Sequence, residues 1–448
     1  MTPIRLLVLL GCGAALLVML TGVGAWCHWS QDYDSVIWVM LAEGPVYAAA
    51  VWLIGRHEAL LGGAWRRKAM MLILGVAVFS RALLIVAPPL ISSDIYRYVW
   101  DGRVQAAGIN PYLYRPADPQ VTFLRDGTIY PNINRAETAV TIYPPMAQLI
   151  FRAVTGVAES VTLMKLVMVL FEGVIVGALL VLLRSRGLPD TRIALYAWHP
   201  LPLFEFAGSG HIDAAAIGLM LLACMIAERR RPLIAGGILG AAALVKFFPL
   251  VILPSLYRRW DWRLPLGVAI VAIGLYLPFL DVGRQVLGYL PGYVQEERLA
   301  TGEGFFVIEA LRALVPLPGW ATFAYVLAAV AAMGSIALAV VCRLPVEKSM
   351  TSALWLLAAF TLFVSPHWPW YFTWVLPFLC FRTSWALIYL SAISPLLYRF
   401  VWEPEPLVLH ATLYLPFAVI LLIEFALGPR RPTIGPLNDE GIAPRHAD

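Results

Sequence analysis

Apolar segments recur along this chain at the length of a membrane crossing, and that pattern excludes most folds open to a 448-residue polypeptide. A span needs about 17 to 25 predominantly apolar residues. Such segments are read at 5–25, 36–55, 69–90, 161–183, 193–208, 211–228, 232–256, 264–280, 319–342, 349–365, 370–381, 384–401 and 407–427, some of them short. A soluble globule carries roughly a quarter charged residues. Here 14% are charged and 60% hydrophobic, with mean hydropathy +0.76. Backbone polar groups in lipid must be satisfied within the segment, which implies helices. The expected fold is all-α and polytopic, with about 12 or 13 transmembrane helices. The first segment is read as a retained span, because Trp26 in "VGAWC" stands where a cleavage site would need a small residue.

Lys and Arg favour cytoplasmic loops. This puts "RHEALLGGAWRRK", "RSRGLPDTR", "ERRRP", "RRWDWR", "RLPVEK" and the tail "GPRRP" inside, and 91–142, Gly210 to Asp213, roughly 281–318 and "SPHWPWY" outside. The rule breaks once, because "ERRRP" and "RRWDWR" flank the single segment 232–256. Pro249 and Pro254 suggest a bent or re-entrant segment there, since proline removes a backbone donor and kinks helices.

The net charge of +5 is explained by loop cations facing anionic lipid and calls for no nucleic-acid partner. Cys12, Cys27, Cys224, Cys342 and Cys380 are dispersed with no C-x-x-C pair, and read as packing residues. Residues 1–430 are expected to form one integral-membrane domain with a structured outer loop at 91–142, followed by a disordered cytoplasmic tail at 431–448.

Within the outer loop, "SSDIYRYVWDGRVQAAG" begins as a helix would, with Ser92 or Ser93 as cap and Asp94 in the first turn. Asp94, Arg97, Tyr98 and Asp101 then fall at i, i+3, i+4 and i+7 and share one face. Gly108 ends the helix and "INPY" turns the chain. An amphipathic helix lying on the interface with solvated charges fits equally well. Ionisable groups at membrane depth point to function by default. His211 and Asp213 in "GSGHIDAAA", Lys246 in "LVKFFPLVILP" and His367 in "SPHWPWYF" are such groups. Snorkelling for Lys246 and satisfied interfacial histidines are the ordinary alternatives.

In this order, "SDIYRYVWDGRVQAAGINPY", "TIYPPMAQLIF" (which contains Tyr143), "GHIDAAAIGLMLLA", "LVKFFPLVILP" and "SPHWPWYFTWVLP" resemble the bacterial polyprenol-phosphate-mannose-dependent mannosyltransferases. These are GT-C class integral-membrane glycosyltransferases, and the resemblance runs from about residue 80 to 380, most specifically in the first stretch and "YPP". It implies inverting transfer of a hexose, mannose above all, from a polyprenyl-phosphate donor to a lipid or glycan hydroxyl. The reaction would take place on the outer face of the bacterial cytoplasmic membrane. Asp94 matches the family's catalytic base, and Tyr98, Asp101, Tyr143 and Asp213 stand as further substrate-site residues. Arg97, Lys246, His211 and His367 are the cations available for the leaving phosphate, His367 matching an outward histidine of the family. Trp100, Tyr112, Trp368 and Trp370 could stack on sugar or hold lipid, although most such aromatics are structural. "IYPPMAQLIFRAV" reads as an interfacial helix that could roof a lipid groove, or as a plain connector.

A rival carboxylate pair, Asp32 and Asp34 in "QDYDS", has the spacing that holds a divalent metal in other glycosyltransferases. A monophosphate-linked donor demands no metal or other cofactor, so a divalent ion is allowed but not implied. Two other classes use similar features. A glycan polymerase or ligase would take a polyprenyl-pyrophosphate donor, and a secondary transporter would show paired halves with a midplane site.

Overall fold

The computed structural model describes residues 1–299, 301–343, 348–399 and 406–427; the tail at 431–448 lies outside them. Among the described residues the chain is helical with no strand. Every apolar segment read from the sequence is helical, whole or in pieces. Among the described residues, seven helices are long and apolar enough to cross a membrane, and up to eight if Pro200–Gly208 and Asp213–Glu228, bent by 118°, form one span. The remaining segments are shorter or broken by proline, as in Pro232–Ala243 and Ser349–Val364, which accounts for the difference from the expected number.

The first six α-helices are α1 (Pro3–Ser30), α2 (Tyr33–Arg56), α3 (Gly63–Ile85), α4 (Asp94–Ala106), α5 (Pro145–Thr155) and α6 (Val161–Ser185). Buried charges tie α3 to α6. Arg81 meets Glu172 at 2.6 Å, and the Lys165 ammonium takes the Leu84 and Ala87 carbonyls at the end of α3, each at 2.6 Å. Such groups persist in an apolar interior only when paired, and a cation suits a helix C-terminus.

The segment 232–256 goes up and comes back. Helix Pro232–Ala243 packs parallel to Arg263–Tyr276, with Gly236 against Leu264 and Gly240 against Val268. The contact is close enough that a Cβ on Gly236 would stand 2.0 Å from the Leu264 carbonyl oxygen. Since both helices start from one end, the chain must return between them, through Phe248–Ile252 and Leu253–Leu256. "ERRRP" and "RRWDWR" therefore lie at the same end, which removes the one exception to the charge pattern. Other basic segments gather there too: Arg66 and Arg184 pair with Asp190 at 2.6 and 3.4 Å, and Arg186 pairs with Glu228 and bonds Ser349. At the opposite end stand α4, α5, the loop 107–143, His211, Lys246, the segment 277–314 and His367.

Candidate active site

Helix α4 starts where the sequence predicts. The Ser92 hydroxyl accepts the Asp94 N–H at 3.3 Å, and Gly108 closes the far end at φ +75, a left-handed conformation open to glycine. The shared face is real but its members differ in use. Arg97 donates to Asp101 at 2.8 Å and to the Ala139 carbonyl at 3.1 Å, while Gln148 donates to Asp101 at 3.1 Å. Asp101 is buried and holds Arg97 in place. Tyr98 is buried too, its ring stacked on Phe151 at 4.5 Å. Asp94 keeps 22% of its side chain exposed. It accepts the Asn134 amide at 2.6 Å on Oδ1 and the Tyr143 hydroxyl at 3.2 Å on Oδ2.

Lys246 arrives from the broken segment. Helix Pro232–Ala243 stops just before it, and its ammonium meets Asp213 at 2.6 Å and lies 5.3 Å from the Tyr371 ring. Asp213 is wholly buried and also accepts the Trp374 indole N–H at 2.8 Å, so both its oxygens are engaged. A buried carboxylate engaged in this way fixes the neighbouring ammonium in position.

Asp94, Arg97, Tyr143 and Lys246 line one cavity of about 700 Å³. Asn134 and Arg135 extend its polar side, and Trp368, Trp370, Tyr371 and Trp374 form an aromatic wall. The segment 289–297 closes over it. Glu296 pairs with Arg135 across the mouth, Tyr293 bonds Tyr371, and Glu297 takes His367 at 3.0 Å and the Trp368 indole at 3.2 Å. Burial pushes the Glu297 carboxyl up, but hydrogen bonds from His367 and Trp368 outweigh it and hold the group below its ordinary value.

His211, Asp213 and His367 stand behind this wall and do not line the cavity. His211 is stacked on Trp370 at 4.3 Å, and His367 is engaged by Glu297 and stacked on His410 at 5.5 Å. Of the four cations expected at a phosphate, Arg97 and Lys246 reach the cavity. Trp100 packs on Tyr130, and Tyr112 donates to the Tyr143 carbonyl at 2.7 Å; both are buried and structural. The roof comes from Tyr143, Pro144 and the segment 289–296; α5 itself does not line the cavity. Asp32 caps α2 by accepting the Ser35 N–H at 3.1 Å, and Asp34 lies 3.6 Å from Arg399, so neither faces the cavity.

Several site residues were not singled out from the sequence. Asn134 and Arg135 lie in an irregular loop some forty residues from Asp94, with no periodic signal. Glu205 in "LPLFEFAG" carried the same mark as Lys246, an ionisable group in an apolar run, and was legible. It is wholly buried and accepts the Tyr398 hydroxyl on both oxygens at 2.9 Å.

A family model described as "Alpha-(1->6)-mannopyranosyltransferase, N-terminal domain" matches residues 5–261, more than half of the chain. A curated protein of Mycolicibacterium smegmatis, described as a probable alpha-(1->6)-mannopyranosyltransferase, is 29% identical over 207 residues. That alignment covers 44% of this chain, and the chain spans about a third of that relative's length, 35%. No solved structure matches the chain. The matched region holds Asp94, Arg97, Tyr143, His211, Asp213 and Lys246 together, and by that match the chain belongs to the alpha-(1->6)-mannopyranosyltransferase family.

Proposed function

We propose that the protein transfers a mannosyl group from a polyprenyl-phosphate donor to a hydroxyl of a lipid or glycan acceptor, with inversion at the anomeric carbon. The observation that carries this reading is that Asp94 and Lys246 line the same cavity. A base and a fixed cation facing one space are what such a displacement needs. Asp94 takes the acceptor proton as the hydroxyl oxygen attacks the anomeric carbon. The bond from that carbon to the phosphate oxygen breaks, and the electron pair leaves with the polyprenyl phosphate. Lys246 and Arg97 stabilise the charge that gathers on this phosphate. Neither role calls for a metal ion.

The cavity's mixed walls suit a donor with a polar head and an apolar chain. Phe247, 45% exposed, and Phe360 on Ser349–Val364 both line it, which favours entry of the polyprenyl chain between that helix and the break after Pro232–Ala243. The basic segments at the opposite end support a cytoplasmic location for that end. The site would then open on the outer face of a bacterial cytoplasmic membrane.

The test is transfer from labelled polyprenyl-phosphate-mannose by purified protein in lipid nanodiscs. Asp94→Asn is expected to lower turnover by the roughly 10²- to 10⁴-fold that a positioned base contributes. Asp32→Asn, at a helix cap away from the cavity, is expected to transfer normally. Unimpaired transfer by Asp94→Asn would reject the base, and activity confined to a pyrophosphate-linked donor would favour a polymerase or ligase.

A further inference from the structure

Behind Asp94 lies a buried group that the proposed chemistry leaves unused. His211 has no exposed surface. Its Nδ1 points at Asp94 Oδ2 across 4.0 Å, and its Nε2 at Glu205 Oε2 across 3.4 Å. Neither ring nitrogen has a hydrogen-bond partner among the described residues. An unsatisfied buried polar atom costs about 1 to 3 kcal/mol, so an apolar side chain would serve folding better.

The backbone is shaped to present this ring. Leu203–Gly208 is a π-helix, an element frequent at functional sites, and it carries Glu205. The chain then turns at Gly210 with φ +76, where a Cβ would stand 2.3 Å from Ile95 Cδ1. Only glycine fits this turn, and the turn places His211 between the two carboxyl groups. The His211 N–H donates to the Glu205 carbonyl at 2.9 Å, fixing the loop on itself.

We infer that His211, backed by Glu205, is a positioning residue for Asp94 in the transfer proposed above, and the inference rests on that reading. Catalytic hydrogen bonds are often long in a free enzyme and tighten when substrate binds. Glu205 in its protonated form donates to Nε2, which fixes the tautomer in which Nδ1–H donates to Asp94 Oδ2. Tyr398 holds Glu205 from the far side. With Oδ2 held by His211 and Tyr143, and Oδ1 by Asn134, the carboxylate cannot swing. His211 thereby acts through Asp94 and touches no substrate. The other charged or titratable groups around it are Asp213 and Lys246 beyond the ring, Lys165 against Gly210 and His28 against Gly208.

The experiment compares kcat, donor KM and the pH profile of kcat for the wild type, His211→Ala, Glu205→Leu, Glu205→Gln, the double variant His211→Ala/Glu205→Leu, and Asp94→Asn. His211→Ala is expected to lower kcat by roughly 10- to 100-fold, a share of what the base supplies, with donor KM unmoved. The acid limb of kcat is expected to move, because a group held against the base has been removed. Glu205→Gln, whose amide can still donate to Nε2, is expected to lose less than Glu205→Leu. The double variant should lose no more than His211→Ala, because the two act in series. An unmoved acid limb, a changed donor KM with constant kcat, or additive losses would overturn the assignment. If instead Asp94→Asn keeps full activity, the base reading itself has failed. Glu205→Gln preserves the shape of the site, so it remains informative should His211→Ala not fold.

Discussion

Lys246 offers a separation of folding from chemistry, because the partner that fixes it is a different residue from the ligand it is proposed to hold. Lys246→Met removes the ammonium and leaves the Asp213 carboxylate wholly buried with the Trp374 indole as its remaining hydrogen bond. Breaking a buried pair on one side costs about 3 to 5 kcal/mol. The Lys246 side chain is 19% exposed and the indole bond survives, so the low end, about 3 kcal/mol, is expected. That is roughly a hundredfold in the folded-to-unfolded ratio. Asp213→Asn/Lys246→Met removes both charges and keeps an acceptor for Trp374, and is expected to regain most of this stability. Transfer is expected to fall by about 10²- to 10³-fold in both variants, the usual effect of removing one group that stabilises developing charge. Thermal unfolding in detergent, followed by tryptophan fluorescence, reads the first quantity, and turnover at saturating donor reads the second. Wild-type stability in Lys246→Met, or recovered turnover in the double variant, would refute the reasoning.

Two further outcomes follow from the supports of the site. A Cβ on Gly102 would stand 2.4 Å from Thr155 Oγ1 and 2.6 Å from the Phe151 carbonyl oxygen, so Gly102→Ala must push α4 from α5. An overpacking cost of about 1 to 3 kcal/mol should appear as a lower unfolding midpoint, and an unchanged midpoint would sink the account. In the loop 107–143, partial burial pushes the Asp126 carboxyl up, but hydrogen bonds from Arg103 and from the Tyr130 and Ile129 N–H groups hold it well below the usual carboxylate range. A depressed value in the fold means stability that is full above the unfolded value near about 4 and lost as pH falls through the folded one. The unfolding gap between wild type and Asp126→Asn should therefore be widest near neutrality and narrow below about pH 4. A gap independent of pH would contradict it.

How much of this could be read in the chain depends on the range of the interaction. Local signals held up: Ser92 and Gly108 bound α4, and two prolines marked the fold-back beside Lys246. Apolar runs gave the helices but not their continuity, since runs such as 232–256 and 370–381 read as spans yet end early or break. Asp94, Arg97, Tyr143 and Lys246 stood out as polar groups in unusual company, and they converge on one cavity. Which cations face that cavity was not legible. His367 looks as available as Lys246 until Glu297, seventy residues away, is seen to hold it. Asn134 and the segment 289–297 reach Asp94's surroundings through long-range packing that leaves no periodic trace.

The provenance of the cavity walls has a consequence for how such transferases diversify. The reacting groups all come from residues 94–246, whereas the aromatic wall and the strap above it come from 289–297 and 368–374, outside the region matched by the family model. On the proposed reading, bond-making and cargo selection are thus written in separate stretches of one chain. A chimera that exchanged 288–376 with a relative would carry over the preference for one sugar or lipid while leaving the reacting centre intact, so new specificities can arise without rebuilding the catalyst.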